Sequence, residues 1–182
     1  DYSMVSVSGY GIISGFTNDG NKIPEQTIPQ YYDKLGFSYN KFADSITVSE
    51  TEWDFERYKP DIIVINLGTN DMNYATTDER KAEFEDGYLD FLKKVRSLNP
   101  DSYIFQTYGV MGTSLEENIE NVRRKYISET GDERITFIPL TMQDEDADGI
   151  VADWHPSPRT HSLVSQKVTA AIKAVSYTHL RA

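Results

Sequence analysis

The chain has 182 residues, the size of one domain with a sizeable core. Its formal charge of −11 and pI near 4.7 argue against a nucleic-acid partner, because phosphate would be repelled, and suit a neutral substrate such as a sugar. The absence of cysteine excludes disulfides, thiolate metal sites and a cysteine nucleophile. No sequence run is apolar enough to span a membrane, so no membrane partner is expected.

Both ends of the sequence look unlike natural termini. The chain starts at Asp1 within sequence that already looks structured, so we expect a fragment with any targeting signal upstream. We expect a secreted or extracellular bacterial protein. At the other end, residues 176–182 break the helical pattern and are interpreted as a non-native tail, which leaves residues 1–175 as the domain.

Short apolar runs alternate with amphipathic helical patterns. The run "YSMVSVS" (2–8) predicts a strand, and "DIIVINL" (61–67) is typical of a strand buried on both faces of a parallel sheet. Further strands are predicted over 102–109 and 134–140, and helices over 77–98, 114–131 and 157–175. Thr77 and Ser114 are predicted to open the first two helices, and Gly131 to close the second. This alternation predicts a three-layer α/β/α domain around a parallel sheet.

Small and polar residues follow the predicted strands. The first strand is followed by "SGYG" (8–11), the next by "GTND" (68–71) and the third by "YGVMG" (108–112). A fourth segment, "ADWHPSPRTH" (152–161), lies between the last strand and the last helix. Because ligands of open α/β sheets bind beyond the carboxyl ends of the strands, these segments are expected to converge on one site.

Three of these segments carry a specific resemblance. "INLGTND" is similar to the Gly-x-Asn-Asp block of the SGNH (GDSL-type) hydrolases, "DWHP" to their histidine block, and "SGYG" to their glycine block. Within that superfamily the chain looks most like the second carbohydrate esterase family, whose members remove acetyl groups from xylan and related sugars. The resemblance spans residues 1 to about 175 and implies a flavodoxin-like sheet.

The resemblance also implies roles for individual residues. His155 is the expected general base, and the side chain of Asn70 and the backbone N–H of Gly9 are the expected donors to the oxyanion. The family pattern places an aspartate three residues before the histidine, where this chain has Ala152. The partner of His155 is therefore either Asp153, which we favour as the third catalytic residue, or a backbone carbonyl, which would leave a dyad. No metal or organic cofactor is implied.

Aromatic and acidic residues near these blocks have weaker interpretations. Trp154, beside the base, and Tyr10 are candidate sugar-binding residues, since flat aromatic rings suit pyranose faces, although core packing is the alternative for Tyr10. The acidic run "QDEDADG" (143–149) does not have the spacing of an EF-hand and predicts a solvated loop.

The resemblance also implies a serine nucleophile, for which the sequence offers one look-alike motif. "ADSIT" (43–47) resembles a Gly-Asp-Ser-Ile-Thr nucleophile block, but Ser45 follows the glycine block, lacks the preceding glycine and is not reached from an apolar strand. We therefore expect the nucleophile upstream of Asp1, on a turn after a strand that would lie between residues 2–8 and 61–67. Without that strand, these two segments are not expected to pair directly.

The sequence thus predicts a serine esterase that hydrolyses acetyl or acyl esters on carbohydrates through an acyl-serine intermediate. An acetylated oligo- or polysaccharide is the expected substrate. Two alternatives remain open: an SGNH esterase or lipase for another ester class, and a carbohydrate-binding domain of this fold without turnover.

Overall fold

The computed structural model describes residues 1–37, 41–42 and 45–179. The five strands are β1 (Lys41–Phe42), β2 (Ile46–Thr47), β3 (Ile62–Asn66), β4 (Tyr103–Tyr108) and β5 (Ile135–Pro139). The four α-helices are α1 (Asp78–Leu98), α2 (Glu116–Thr130), α3 (Glu145–Asp148) and α4 (Pro158–His179), and single 3-10 turns occur at Ile28–Gln30 and Ala152–Trp154. None of the helices in these ranges is long and apolar enough to cross a membrane.

The main sheet is parallel and has the order β3-β4-β5. Ile62 lies opposite Tyr103, and Ile104 lies opposite Ile135. All six residues of the central strand β4 are buried, whereas Val64 in the edge strand β3 is 46% exposed. The predicted α/β class with a parallel sheet is confirmed, and all three carboxyl ends point to one edge.

Helices α1 and α2 cover one face of this sheet. Every second residue of β4 faces them, and the predicted apolar stripe of α1 is almost completely buried, with relative exposures of 0–3%. That stripe comprises Phe84, Tyr88, Phe91, Leu92 and Val95. Burying such a side chain stabilises the fold by roughly 1.5–3 kcal/mol, so this face is the main hydrophobic core.

Helix α4 covers the opposite face. Tyr103 and Phe105 of β4 point to this side, where Val164, Val168 and Ile172 pack against them. The alternation of β4 side chains between two apolar clusters follows from the two-residue repeat of a strand. The three predicted layers are therefore present.

The ends of the helices agree only in part with the sequence prediction. Thr77 caps α1 by accepting a hydrogen bond from the Arg80 N–H, and Gly131 closes α2 at φ 69°, as predicted. Ser114 is not the cap of α2: Leu115 takes that position without a side-chain cap bond. Leu115 is completely buried, so apolar anchoring replaces polar capping at this helix start.

Two terminal predictions were wrong. Residues 2–8 do not form a strand, and Tyr2 and Met4 are 86% and 76% exposed. An extended segment without a neighbouring strand gains no ladder hydrogen bonds, which explains the absence of regular structure there. As expected, this segment does not pair with β3. The other error concerns α4, which continues past residue 175 to His179 instead of ending where the apolar pattern does.

The turn after β3 fixes the loop that follows residues 1–8. The buried Asp71 carboxylate accepts hydrogen bonds from the backbone N–H groups of Ile12 (2.9 Å), Ile13 (2.8 Å) and Ser14 (3.1 Å). Burial raises the pKa of this carboxyl group, and the three N–H donors act in the opposite direction. A Cβ atom on Gly11 would lie 2.5 Å from the carboxylate, so the loop can approach this closely only with glycine there.

Asp71→Asn is expected to lower the free energy of unfolding by about 2–3 kcal/mol, because the amide has one acceptor oxygen and turns a donor toward the loop N–H groups. Urea unfolding measures the change. The matched control is Asp90→Asn on the exposed side of α1, which should change stability by less than about 0.5 kcal/mol. Equal losses in the two variants would contradict the role of Asp71 as the anchor of this loop.

Candidate active site

The side chain of Asn70 lies against the glycine block. Its Nδ2 donates a hydrogen bond to the backbone oxygen of Tyr10 at 2.8 Å. A primary amide has two N–H donors, so one remains for a ligand. Gly9, one residue before Tyr10, has φ 79°, and within the described ranges its N–H has no hydrogen-bond acceptor. The structure thus brings together the two predicted oxyanion donors.

Neighbouring contacts hold the same loop from both sides. Asn73 donates to the backbone oxygen of Thr17 at 2.9 Å, and the Phe16 N–H donates to the Gly9 oxygen at 2.8 Å. Together with Asp71, these bonds attach the loop to the turn after β3. The position of Gly9 relative to Asn70 is therefore set by backbone and amide hydrogen bonds.

His155 lies on a tight hairpin after β5. Ile150 and Pro156 form an antiparallel bridge, and the Val151 N–H donates to the His155 oxygen at 2.9 Å. The tip of the hairpin is unusual, since Asp153 (φ 54°) and Trp154 (φ 64°) both have left-handed backbone conformations. Such conformations cost energy for residues other than glycine and cluster at functional sites.

The partner of the His155 ring is a backbone carbonyl. Nδ1 lies 3.2 Å from the oxygen of Ala152, and no hydrogen bond joins the ring to the carboxylate of Asp153 among the described residues. Of the two arrangements left open by the sequence, this geometry favours the carbonyl. Because a carbonyl only accepts, Nδ1 carries the proton and Nε2 keeps the lone pair that a general base needs.

The two candidate sugar-binding aromatics have different surroundings. Trp154 is 53% exposed at the tip of the hairpin, directly before His155. Tyr10 is partly buried against the main core, and its ring packs 5.7 Å from Phe37 and 6.2 Å from Tyr31 between ring centroids. Trp154 is free to stack on a ligand, whereas the contacts of Tyr10 are those of a packing residue.

The acidic run forms a short capped helix rather than an open loop. Asp144 caps α3 by accepting from the Ala147 N–H, and Asp148 pairs with Arg159 at 2.7 Å. Across residues 1–37, 41–42 and 45–179, no cluster of three or more potential ligand side chains could hold a metal ion. The run thus serves to connect β5 with the histidine hairpin.

Ser45 lies in a different part of the fold. It is exposed and directly precedes β2, which pairs with β1 in a two-stranded antiparallel sheet separate from the parallel one. Ala43 and Asp44 of the look-alike motif fall outside the described residues. The position of Ser45 fits the interpretation that it is not the nucleophile.

Sequence reasoning missed two residues that organise the site. Asp71 stood within the recognised "GTND" block, yet its three backbone partners are 57–59 residues away in sequence and have no local signal. Gln143 begins the acidic run that predicts a solvated loop, but it is buried and donates from Nε2 to the backbone oxygen of Trp154 at 2.8 Å. A single polar amide among apolar and acidic residues gives no pattern that would predict this contact.

The arrangement is suited to acyl transfer. Asn70, in the turn after β3, and Gly9, in the loop attached to that turn, carry the candidate oxyanion donors, and His155, in the hairpin after β5, is the candidate base. Strands β3 and β5 belong to one parallel sheet and therefore end at the same edge. Donors for a developing oxyanion and a base with a free Nε2 are the groups that ester hydrolysis requires around an activated hydroxyl.

Comparison with known proteins supports this assignment. Residues 9–163 match the GDSL-like lipase/acylhydrolase family. The chain is 35% identical over 143 residues to the cellulase/esterase CelE of Acetivibrio thermocellus, covering 74% of this chain and 17% of that protein. It is 24% identical over 175 residues to an acetylxylan esterase/glucomannan deacetylase of Cellvibrio japonicus, covering 94% of this chain and 44% of that protein.

A solved structure also shows the similarity to carbohydrate esterases. A family two carbohydrate esterase from Clostridium thermocellum in complex with cellohexaose superposes with a TM-score of 0.72 and 30% identity, over 91% of this chain and 47% of that one. The chain spans less than half the length of each of these three proteins. With its glycine, asparagine and histidine blocks at one sheet edge, the chain belongs to the GDSL-like lipase/acylhydrolase family, and its relatives are family two carbohydrate esterases.

Proposed function

We propose that the protein of which this chain is a part hydrolyses acetyl esters on carbohydrates through an acyl-serine intermediate. The observation that carries the proposal is that Asn70, with the Gly9 loop attached to it, follows β3 and that His155 follows β5, two strands that end at the same edge of one parallel sheet. Support for a carbohydrate ester comes from the relatives, which are named as acetylxylan and cellulase-linked esterases.

The proposed reaction has two half-reactions. A serine hydroxyl, supplied upstream of Asp1 as the order of the family blocks implies, attacks the ester carbonyl while Nε2 of His155 takes its proton. The oxyanion accepts hydrogen bonds from the second Nδ2 proton of Asn70 and from the Gly9 N–H. The imidazolium then protonates the leaving sugar oxygen. Water repeats the sequence, releasing acetate and regenerating serine and neutral histidine.

The surroundings of the base favour a sugar over a long acyl chain. The exposed ring of Trp154 lies next to His155, and an aromatic face of this kind stacks on the apolar face of a pyranose. The strongly negative chain does not attract phosphate or nucleic acid, and a neutral polysaccharide carries no charge that would be repelled.

The complete protein is expected to release acetate from acetylated xylo-oligosaccharides faster than it cleaves p-nitrophenyl esters of long fatty acids. Initial rates on both substrates, with p-nitrophenyl acetate as the reference acyl group, measure this preference. Faster cleavage as the acyl chain lengthens would instead identify an esterase or lipase for another ester class. Tight sugar binding without any turnover would identify a binding domain.

Replacing the base and its neighbour should have unequal effects. In the complete protein, His155→Ala removes the group that takes the serine proton and should lower kcat by on the order of 10³–10⁶-fold. Asp153→Asn should change kcat by less than about threefold, because the ring is held by the Ala152 carbonyl. A loss of 10²-fold or more in Asp153→Asn would show that the carboxylate reaches the ring during catalysis.

Residues 1–182 alone are expected to hydrolyse acetyl esters about 10⁶-fold more slowly than the complete protein, since in the proposed mechanism the serine nucleophile is supplied by another segment. Ser45→Ala in the complete protein should leave kcat/KM unchanged. Assays of both proteins on p-nitrophenyl acetate test the two statements together. Activity of residues 1–182 that disappears in Ser45→Ala would identify Ser45 as the nucleophile.

A further inference from the structure

Strained backbone is concentrated beside the candidate base. Among the described residues, three non-glycine residues have positive φ: Val110 (71°), Asp153 (54°) and Trp154 (64°). Val110 follows β4, and the other two form the tip of the hairpin that carries His155. A β-branched residue such as Val110 is especially disfavoured in this conformation, so surrounding contacts must hold it in place.

Gln143 connects the two strained segments. Its backbone N–H donates to the oxygen of Val110 at 2.9 Å. Its side-chain Nε2 donates to the oxygen of Trp154 at 2.8 Å. One residue therefore contacts both turns, and its side-chain bond ends on the carbonyl directly before His155.

The surroundings of Gln143 make these bonds strong restraints. The residue is only 9% exposed, so water does not replace a lost hydrogen bond easily. Its Oε1 is buried without a hydrogen-bond partner within the described ranges. Of the two polar ends of this amide, only the donor end is therefore engaged among the described residues, by its side-chain hydrogen bond to the Trp154 oxygen.

We propose that Gln143 is a positioning residue for the general base, an inference that rests on the proposed esterase function. By holding the Trp154 carbonyl, it fixes the hairpin tip in its strained conformation and thereby the contact between His155 Nδ1 and Ala152. It does not touch the reacting atoms. Its effect is to keep Nε2 at one distance from the serine hydroxyl, where a displacement of about 1 Å costs on the order of 10²-fold in rate.

Gln143→Met keeps the length of the side chain and removes the donor. In the complete protein it should lower kcat on acetylated xylo-oligosaccharide by roughly 10- to 100-fold, with KM within about twofold. A purely structural role would instead change the free energy of unfolding without this split between kcat and KM. Gln166→Met on the exposed side of α4 is the control and should leave kcat and KM unchanged.

Gln143→Glu provides a second test that also works if the methionine variant does not fold. A protonated carboxyl group at position 143 can donate a hydrogen bond to the Trp154 oxygen. An ionised carboxylate has no donor and repels that oxygen, because both groups are acceptors. The ratio of the variant's kcat to the wild-type kcat should therefore fall as pH rises between about pH 5 and pH 8.

The outcomes separate the two proposals. An inactive wild-type protein would contradict the esterase function. An active wild-type protein with unchanged kcat in Gln143→Met, or with a pH-independent rate ratio in Gln143→Glu, would overturn the positioning role alone. A loss in kcat with KM nearly unchanged, together with the falling ratio, would establish it.

Discussion

The organisation of the site depends on a buried carboxylate that binds backbone. Asp71 accepts three consecutive N–H groups, from Ile12 to Ser14, and thereby attaches a loop without regular structure to the end of β3. Removing a charge from water is costly unless hydrogen bonds satisfy it, and here the loop itself supplies them. Since Gly9 and Tyr10 lie just before this segment, the same interaction holds the proposed oxyanion donor Gly9 in the loop that contacts Asn70.

The opposite side of the site is held by different chemistry. Gln143 is neutral and uses one backbone and one side-chain donor to connect the turn after β4 with the hairpin after β5. Neither Asp71 nor Gln143 contacts a reacting group in the proposed mechanism. Both residues form hydrogen bonds with backbone groups of the loops rather than with loop side chains. The sheet supplies a rigid edge, and these two residues convert flexible connections on it into fixed positions.

The sequence predicted what depends on periodicity and short motifs. The strand at β3 and the apolar stripe of α1 have local signals, and the structure places both as expected. The blocks containing Asn70 and His155 were also recognisable from short motifs, whereas the catalytic roles of these residues stay predictions. Residues 2–8 had equally clear alternation but formed no strand, because a strand also requires a neighbour to pair with. The contacts of Gln143 join residues 11 and 33 positions apart, and only the folded chain reveals such pairs.

The choice of partner for His155 has an electrostatic consequence. A carboxylate would attract the imidazolium that forms when the serine proton is transferred, whereas the Ala152 carbonyl offers only a dipole. Because the carbonyl stabilises the imidazolium less than a carboxylate would, the rate enhancement by the proposed base depends more on the position of its ring than on nearby charges. The position of His155 depends on the hairpin tip, where Asp153 and Trp154 have left-handed backbone angles that are unfavourable for residues other than glycine. In the proposed mechanism, the orientation of His155 therefore depends on buried contacts to this hairpin, such as the hydrogen bond from Gln143 to the Trp154 oxygen.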